Sequence, residues 1–373
     1  MGVEMKYVLD IEKLESSDII LTRNNKLTSR LIRYFTEGEF SHALIYVSHS
    51  SVIEATREGR VFAENTQRLV FDNLDDCKVF RCKQTLNDNI KRKIEYFVRG
   101  QVSTLYSVKE AIRVRKLGNS EVDALEGTQF CSRLVAQAYS HAGIQLVSNQ
   151  NYCSPQDLND SEQLIEVENV LRDANAWDLT FASTPNPIKE NANQLYMWLD
   201  KASEIAKAEN FDVLSQYDIE QFIMDYPQYD EVVCGYILET DYLNFYRVDE
   251  FSNPARYNYD PMISFDIVSE FEMNKSLVSR YLINYSRSKS IVVSKGLKYY
   301  ELQVQLFENL LKQCIGRLGV IIEYIDFHIH KEFDSVKLLH MNEYKSNVEN
   351  LIKNIKFAFN ENGFLKYIEP SLT

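Results

Sequence analysis

Two periods run through the chain. In the first 165 residues, apolar positions come in short strand-like stretches broken by polar turns. From about residue 190 they recur every three to four residues over long stretches, which is the helical repeat. Residues 18–23 predict a strand, and residues 26–36 an amphipathic helix with Leu27, Leu31 and Tyr34 on one stripe. Residues 41–48 and 51–56 are rich in strand formers. The polar Ser48-His49-Ser50 between them predicts a hairpin. Short strands are expected at 60–64 and 77–82, and helices at 87–100, 107–116 and 129–142, the last stopped by Gly143.

Beyond residue 190 the periodicity predicts helices at 191–208, 214–225, 264–290, 298–325 and 341–359, while the aromatic, turn-rich stretch 240–260 fits neither template. The expected fold class is α+β over residues 1–188, a small antiparallel sheet packed on helices, followed by a mainly α-helical domain at 189–373.

Composition narrows the class. Apolar residues make up 45% of the 373, charged residues 25%, and there are only 12 Gly and 7 Pro, so low-complexity and collagen-like chains are excluded. The net charge of −13 is concentrated: residues 1–189 carry −3, residues 190–270 carry −13 and residues 271–373 carry +3. A chain this acidic is not expected to bind nucleic acid, which needs clustered cations. Met1 to Leu9 lacks the apolar stretch of a secretory signal, and no apolar run approaches the ~20 residues that span a bilayer. Six cysteines without a signal read as reduced thiols, and the expected compartment is cytoplasmic, with export by a signal-independent route left open. Cys77 and Cys82, five apart on a strand, point to opposite faces and do not pair.

Three residues could carry chemistry. Cys131 opens the helix 129–142, with Thr128 as the expected N-cap; unpaired N–H groups and the helix dipole there favour a thiolate. Cys131, Val135, Ala138 and Ala142 form one stripe, so the thiol faces the sheet that the helix covers, and a small buried core cysteine is the alternative reading. His42 shares a strand face with Leu44 and Tyr46, as either a core histidine or a general base. Glu54 interrupts an apolar strand. With a three-residue turn, either register puts His42 and Glu54 on one face, opposite or one diagonal apart, where the carboxylate could orient and charge the imidazole; a solvent-facing edge glutamate is the alternative.

The order of motifs resembles the circularly permuted papain-fold group of the NlpC-like superfamily, the YiiX/YaeF type. The matching segments are Ser17 to Arg23, Ser29 to Arg33, Ser41 to Val47, Val52 to Ala55, Phe130 to Val135 and Ser154 to Leu158. They cover about residues 15–165, with histidine ahead of cysteine. The resemblance implies a cysteine hydrolase cleaving an amide or peptide bond, with Cys131 as nucleophile, His42 as base and Glu54 as the orienting residue. Tyr46 and Ser41 are the candidates for substrate contact. Ser17 stands where members usually have glycine. Tyr106 is followed by Ser107 where members often have aspartate, so Tyr106 is given no catalytic role. A lipid acyl-hydrolase or transacylase of the same fold, and a non-catalytic binding module, are the other readings.

Other signals are weaker. Cys153, His49 and His141 read as incidental. His328 and His330 diverge by about 200° on a helix and make a poor chelate even with His340. No cofactor and no metal are expected. Lys91, Arg92, Lys93, Arg99, Lys109, Arg113, Arg115 and Lys116 read first as a solvated helix face. They also suit a peripheral membrane contact with anionic headgroups, or a dock for the acidic block 190–270. The expected substrate is a peptide or an acyl lipid. The helical domain is expected to bind a protein partner or to dock on the catalytic domain.

Overall fold

The computed structural model describes residues 5–23, 38–48, 50–56, 59–107, 128–260, 266–332 and 334–360. The helix expected at 26–36, all but the first residue of the one expected at 107–116, and His49 lie outside them. The chain divides into two compact units, residues 1–220 and 221–373.

The first unit is built on a six-stranded antiparallel sheet of order β5-β4-β3-β2-β7-β8. Its strands are β2 (Ile19–Thr22), β3 (His42–Ser48), β4 (Ser51–Ala55), β5 (Val61–Asn65), β7 (Cys77–Cys82) and β8 (Leu164–Glu166). Three further short strands, β1 (Tyr7–Leu9), β6 (Val70–Phe71) and β9 (Leu171–Asp173), form a second sheet of order β6-β1-β9. The large sheet is covered on both faces, which is why its central strands read as near-continuous apolar runs. Ile19, Leu21, Ala43, Ile45, Val47, Ile53 and Ala55 pack in one core with α1 (Asp88–Gly100) and α2 (Cys131–His141). Ile20, Leu44, Tyr46, Val52 and Val79 form the other, with Leu9, Phe71 and Leu171 of the small sheet. Cys77 and Cys82 fall in these two different cores, and all six cysteines are free.

The expected composition boundary at 189 lies inside the first unit, and Arg60 gives the physical reason. Its buried guanidinium donates to Ser103 O (2.9 Å) and Leu214 O (3.0 Å), and to Asp200 at 2.7 Å. It also lies over the Tyr196 ring. After α3 (Pro155–Asn159) and α4 (Ala176–Ser183), α5 (Pro187–Ala206) and the segment before α6 (Gln216–Asp225) are thereby tied to the sheet. Charge density marks where composition changes, whereas contacts such as those of Arg60 carry the packing of the first unit past that point.

The second unit holds α7 (Asp230–Leu238), α8 (Arg247–Ser252), α9 (Ile267–Lys295), α10 (Lys298–Ile329) and α11 (Ser335–Ala358). Phe271, Val278, Leu282 and Tyr285 of α9 meet Leu311, Cys314, Leu318, Ile321 and Ile325 of α10, and Val348 and Ile355 of α11. Gly296, at φ +66°, ends α9 in the left-handed conformation that favours glycine. No side chain of its own caps α10. Asp230 does so from α7, accepting from Lys298 N (2.6 Å) and Tyr299 N (2.9 Å). The stretch 240–260 forms α8 and short 3₁₀ turns pinned by α10: Gln313 donates to Tyr246 O, and Arg317 reaches Asp249 and Tyr257. Among the described residues no helix is long and apolar enough to cross a membrane.

Candidate active site

The hairpin β3–β4 sets the first half of the site. Leu44 pairs with Glu54, Ile45 with Ile53 and Tyr46 with Val52, so His42 and Glu54 sit one diagonal apart on the same face. Their side chains meet, His42 Nε2 to Glu54 Oε2, at 2.5 Å. Glu54 is 8% exposed, so the alternative of a solvent-facing edge glutamate does not hold. The imidazole keeps 26% of its surface exposed, enough to be reached from outside.

The second half comes from α2. The expected cap at Thr128 is a correction: the N-cap is Phe130, in extended conformation and without a side-chain cap bond. Residue 129 is held as a bridge instead. Gln129 N donates to Leu105 O, Ser107 N donates to Gln129 O, and Gln129 pairs with Tyr106. The extended strand-like lead-in delivers Cys131 as the first helical residue, in the same core as Ala43, Val135, Ala138 and Ala142. The thiol is buried, and the His42 imidazole and the backbone N–H groups of Ala43 and Ser132 act on it electrostatically.

The electrostatics of the pair run in opposite directions. Burial alone would push the Cys131 thiol up, but His42 and the two N–H groups outweigh it and hold it below the ordinary thiol value. Burial would also push the imidazole down; hydrogen bonds and charge from Cys131 and Glu54 outweigh it and carry His42 up to about 10. Both directions favour the thiolate–imidazolium form of the pair over the neutral one. Burial instead raises the thiols of Cys77 and Cys153, raises Cys234 to about 12 and raises Cys314 to about 11.

Tyr46 and Ser41 are turned inward. The Tyr46 hydroxyl accepts from Ser50 N (3.3 Å) and fixes the hairpin turn, and Ser41 N and Oγ both bond Thr22 O. The surroundings of the thiol hold residues that sequence reasoning passed over. Arg133 is buried between the rings of Phe130 and Tyr152, and donates to Asn151 O (2.8 Å) and Thr128 O (3.1 Å). Gln129 Nε2 donates to Gln101 (2.9 Å) and Gln137 (2.8 Å), and Gln137 donates to Asn151 (2.9 Å). Ser132 Oγ donates to Cys153 O at 2.6 Å. These bonds brace the turn carrying the thiol from both sides. Their signal in the sequence was Arg133 and Gln137, long polar residues four apart in a mostly buried helix.

Among the described residues no group of three or more His, Cys, Asp or Glu side chains could hold a metal. The sequence model of the permuted papain-like amidase family, YaeF/YiiX, C92, matches residues 13–178 of the chain. Among solved structures, it is similar to that of metalloprotein YiiX from Escherichia coli O157:H7, at 18% identity and a TM-score of 0.31, over 42% of this chain and 97% of that one. No curated protein matches the chain.

Proposed function

With residues 13–178 forming a permuted papain-like domain of the YaeF/YiiX amidase type, we propose that this protein cleaves an amide or peptide bond through an acyl-thioenzyme on Cys131. The observation that carries the reading is the 2.5 Å contact of the His42 imidazole with Glu54, in a ring that acts electrostatically on the buried Cys131 thiol. In it the thiolate attacks the carbonyl carbon. Backbone N–H groups in the first turn of α2 hold the developing oxyanion. The imidazolium of His42 protonates the leaving nitrogen, so the amine departs and a thioester remains. Neutral His42 then takes a proton from water, whose oxygen attacks the thioester; the C–S bond breaks, the carboxylic acid leaves, and the thiol–imidazole pair is restored. Glu54 accepts from Nε2, keeps the ring oriented and stabilises its cationic form.

The test is a panel of chromogenic amides, peptides and phospholipid esters, with intact-mass analysis under rapid acid quench. The expected result is amine release and an acyl adduct on Cys131, both lost in Cys131→Ala. Turnover that survives Cys131→Ala overturns the reading. Turnover confined to phospholipid esters overturns the amide assignment and leaves the thiol chemistry standing.

A further inference from the structure

α2 starts without the device that ordinarily holds a helix start. A capping side chain takes the N–H of the second or third helical residue. Phe130, at the N-cap position, makes no such bond. The start is held through carbonyls instead. Arg133, 1% exposed, reaches back to Thr128 O (3.1 Å) and outward to Asn151 O (2.8 Å), with its guanidinium over the rings of Phe130 and Tyr152. Ser132 Oγ donates to Cys153 O at 2.6 Å. The two residues that follow Cys131 are thus both bonded to segment 151–153. That segment is itself held at both ends. Asn149 Oδ1 accepts from Asn151 N (3.0 Å) and Tyr152 N (3.3 Å), and Ser154 and Asp157 form a reciprocal capping box on α3.

We infer that Arg133 is the positioning residue of the nucleophile: it clamps the first turn of α2 to the carbonyls of Thr128 and Asn151, and so holds Cys131 in place without a capping side chain that would take the N–H groups of that turn. The consequence is chemical. The Ser132 N–H acts on the Cys131 sulfur, and N–H groups of this turn are the donors that hold the oxyanion in the proposed mechanism. A Ser, Thr or Asp cap would compete for them. A guanidinium suits the task and an ammonium does not, because its planar fork reaches two carbonyls in different directions while its faces stack on rings. An apolar side chain would fill the space without the cost of burying a cation, but it would bond neither carbonyl. Arg133 acts through the turn, not on the reacting atoms. The inference rests on the proposed function where it concerns the oxyanion; where it concerns the thiolate it needs no substrate.

The experiment compares the full-length wild type with Arg133→Met, Arg133→Lys and Tyr152→Leu, and with Arg60→Met as a control that loses a buried guanidinium outside α2. Two readouts are taken on protein shown by circular dichroism to be folded: the pH–rate profile of Cys131 alkylation by iodoacetamide, and kcat and KM on the amide that the substrate panel yields. Loosening the turn weakens its N–H support of the thiolate and raises the thiol pKa, so the acid limb of the profile should move up by about 0.5–1 pH unit in both Arg133 variants. In both, kcat should fall about tenfold or more with KM within about twofold, because the oxyanion donors act only in the transition state. Tyr152→Leu strips one ring from the guanidinium and keeps its bonds; it should move the limb the same way by less, and it decides the matter if the Arg133 variants do not fold. Arg60→Met should lower the thermal midpoint and leave the limb in place. An acid limb within about 0.2 unit of wild type in either folded Arg133 variant, or in Tyr152→Leu where neither folds, overturns the inference and leaves the hydrolase reading standing. An equal shift in Arg60→Met also overturns it, since the effect is then one of general stability. Wild-type turnover that survives Cys131→Ala overturns the hydrolase reading, while the alkylation profile still decides the inference.

Discussion

Replacing Glu54 by glutamine removes a charge and keeps a hydrogen bond, which isolates what the carboxylate does. In the native site, Oε2 lies 2.5 Å from His42 Nε2. Two unit charges 4 Å apart are worth about 4 kcal/mol at an effective dielectric of 20. A neutral amide oxygen still accepts from Nε2–H, and a charge-assisted bond exceeds a neutral one by about 1–2 kcal/mol. The imidazole is 26% exposed, so solvent screens part of the difference. The net loss to the imidazolium is then about 1.5–3 kcal/mol, or ~1–2 pH units. Removing a group that favours the charged form moves the pKa down, so His42 falls from about 10 toward 8–9. Iodoacetate reports this directly, because its negative charge makes alkylation of Cys131 faster while His42 is cationic. The alkaline limb of its pH–rate profile should move down by ~1–2 units in Glu54→Gln, with the thermal midpoint little changed. An alkaline limb that stays within ~0.3 unit of the wild type would show that Glu54 does not support the imidazolium, and the argument from the 2.5 Å contact would fail.

Further predictions follow from the fold. Ser17 sits at φ +82° with its buried hydroxyl unpartnered, so Ser17→Gly should relieve about 1–2 kcal/mol and raise the urea midpoint; an unchanged or lower midpoint contradicts the strain. Arg60→Met should cost about 2–3 kcal/mol, because Ser103 O and Leu214 O lose their donor, and should expose 187–215 to protease first; uniform cleavage would refute its role as the tie. Leu134→Ala, in the fully buried middle of α2, should cost about 2–5 kcal/mol by calorimetry, and a cost below ~1 kcal/mol would mean that α2 is not packed as described.

What the sequence made legible were features with short-range causes. The period-two pattern and a short polar break sufficed to put His42 and Glu54 on one face, and the helical stripe from Cys131 to Ala142 sufficed to turn the thiol to the sheet. Thr128 failed as a cap because a bridge to Leu105 and Tyr106, some 24 residues away, keeps the lead-in extended up to Phe130. β1, β6 and β9 are two or three residues long and gain their order from one another, so no local period announces them. The Arg60 bond to Leu214 and the Gln129 bond to Gln101 act between residues 154 and 28 apart, and nothing in a local window distinguishes them from surface polar residues.

The central claim is that Cys131 and His42 form a reactive ion pair. The most direct measurement is the pH dependence of alkylation at every cysteine, read by peptide mass spectrometry in wild type and in His42→Ala. The account predicts that near pH 7 Cys131 reacts at least tenfold faster than Cys77, Cys153, Cys234 and Cys314, whose thiols burial pushes up, and that the advantage is lost without His42. A Cys131 that reacts no faster than those four, or that keeps its advantage in His42→Ala, would contradict it.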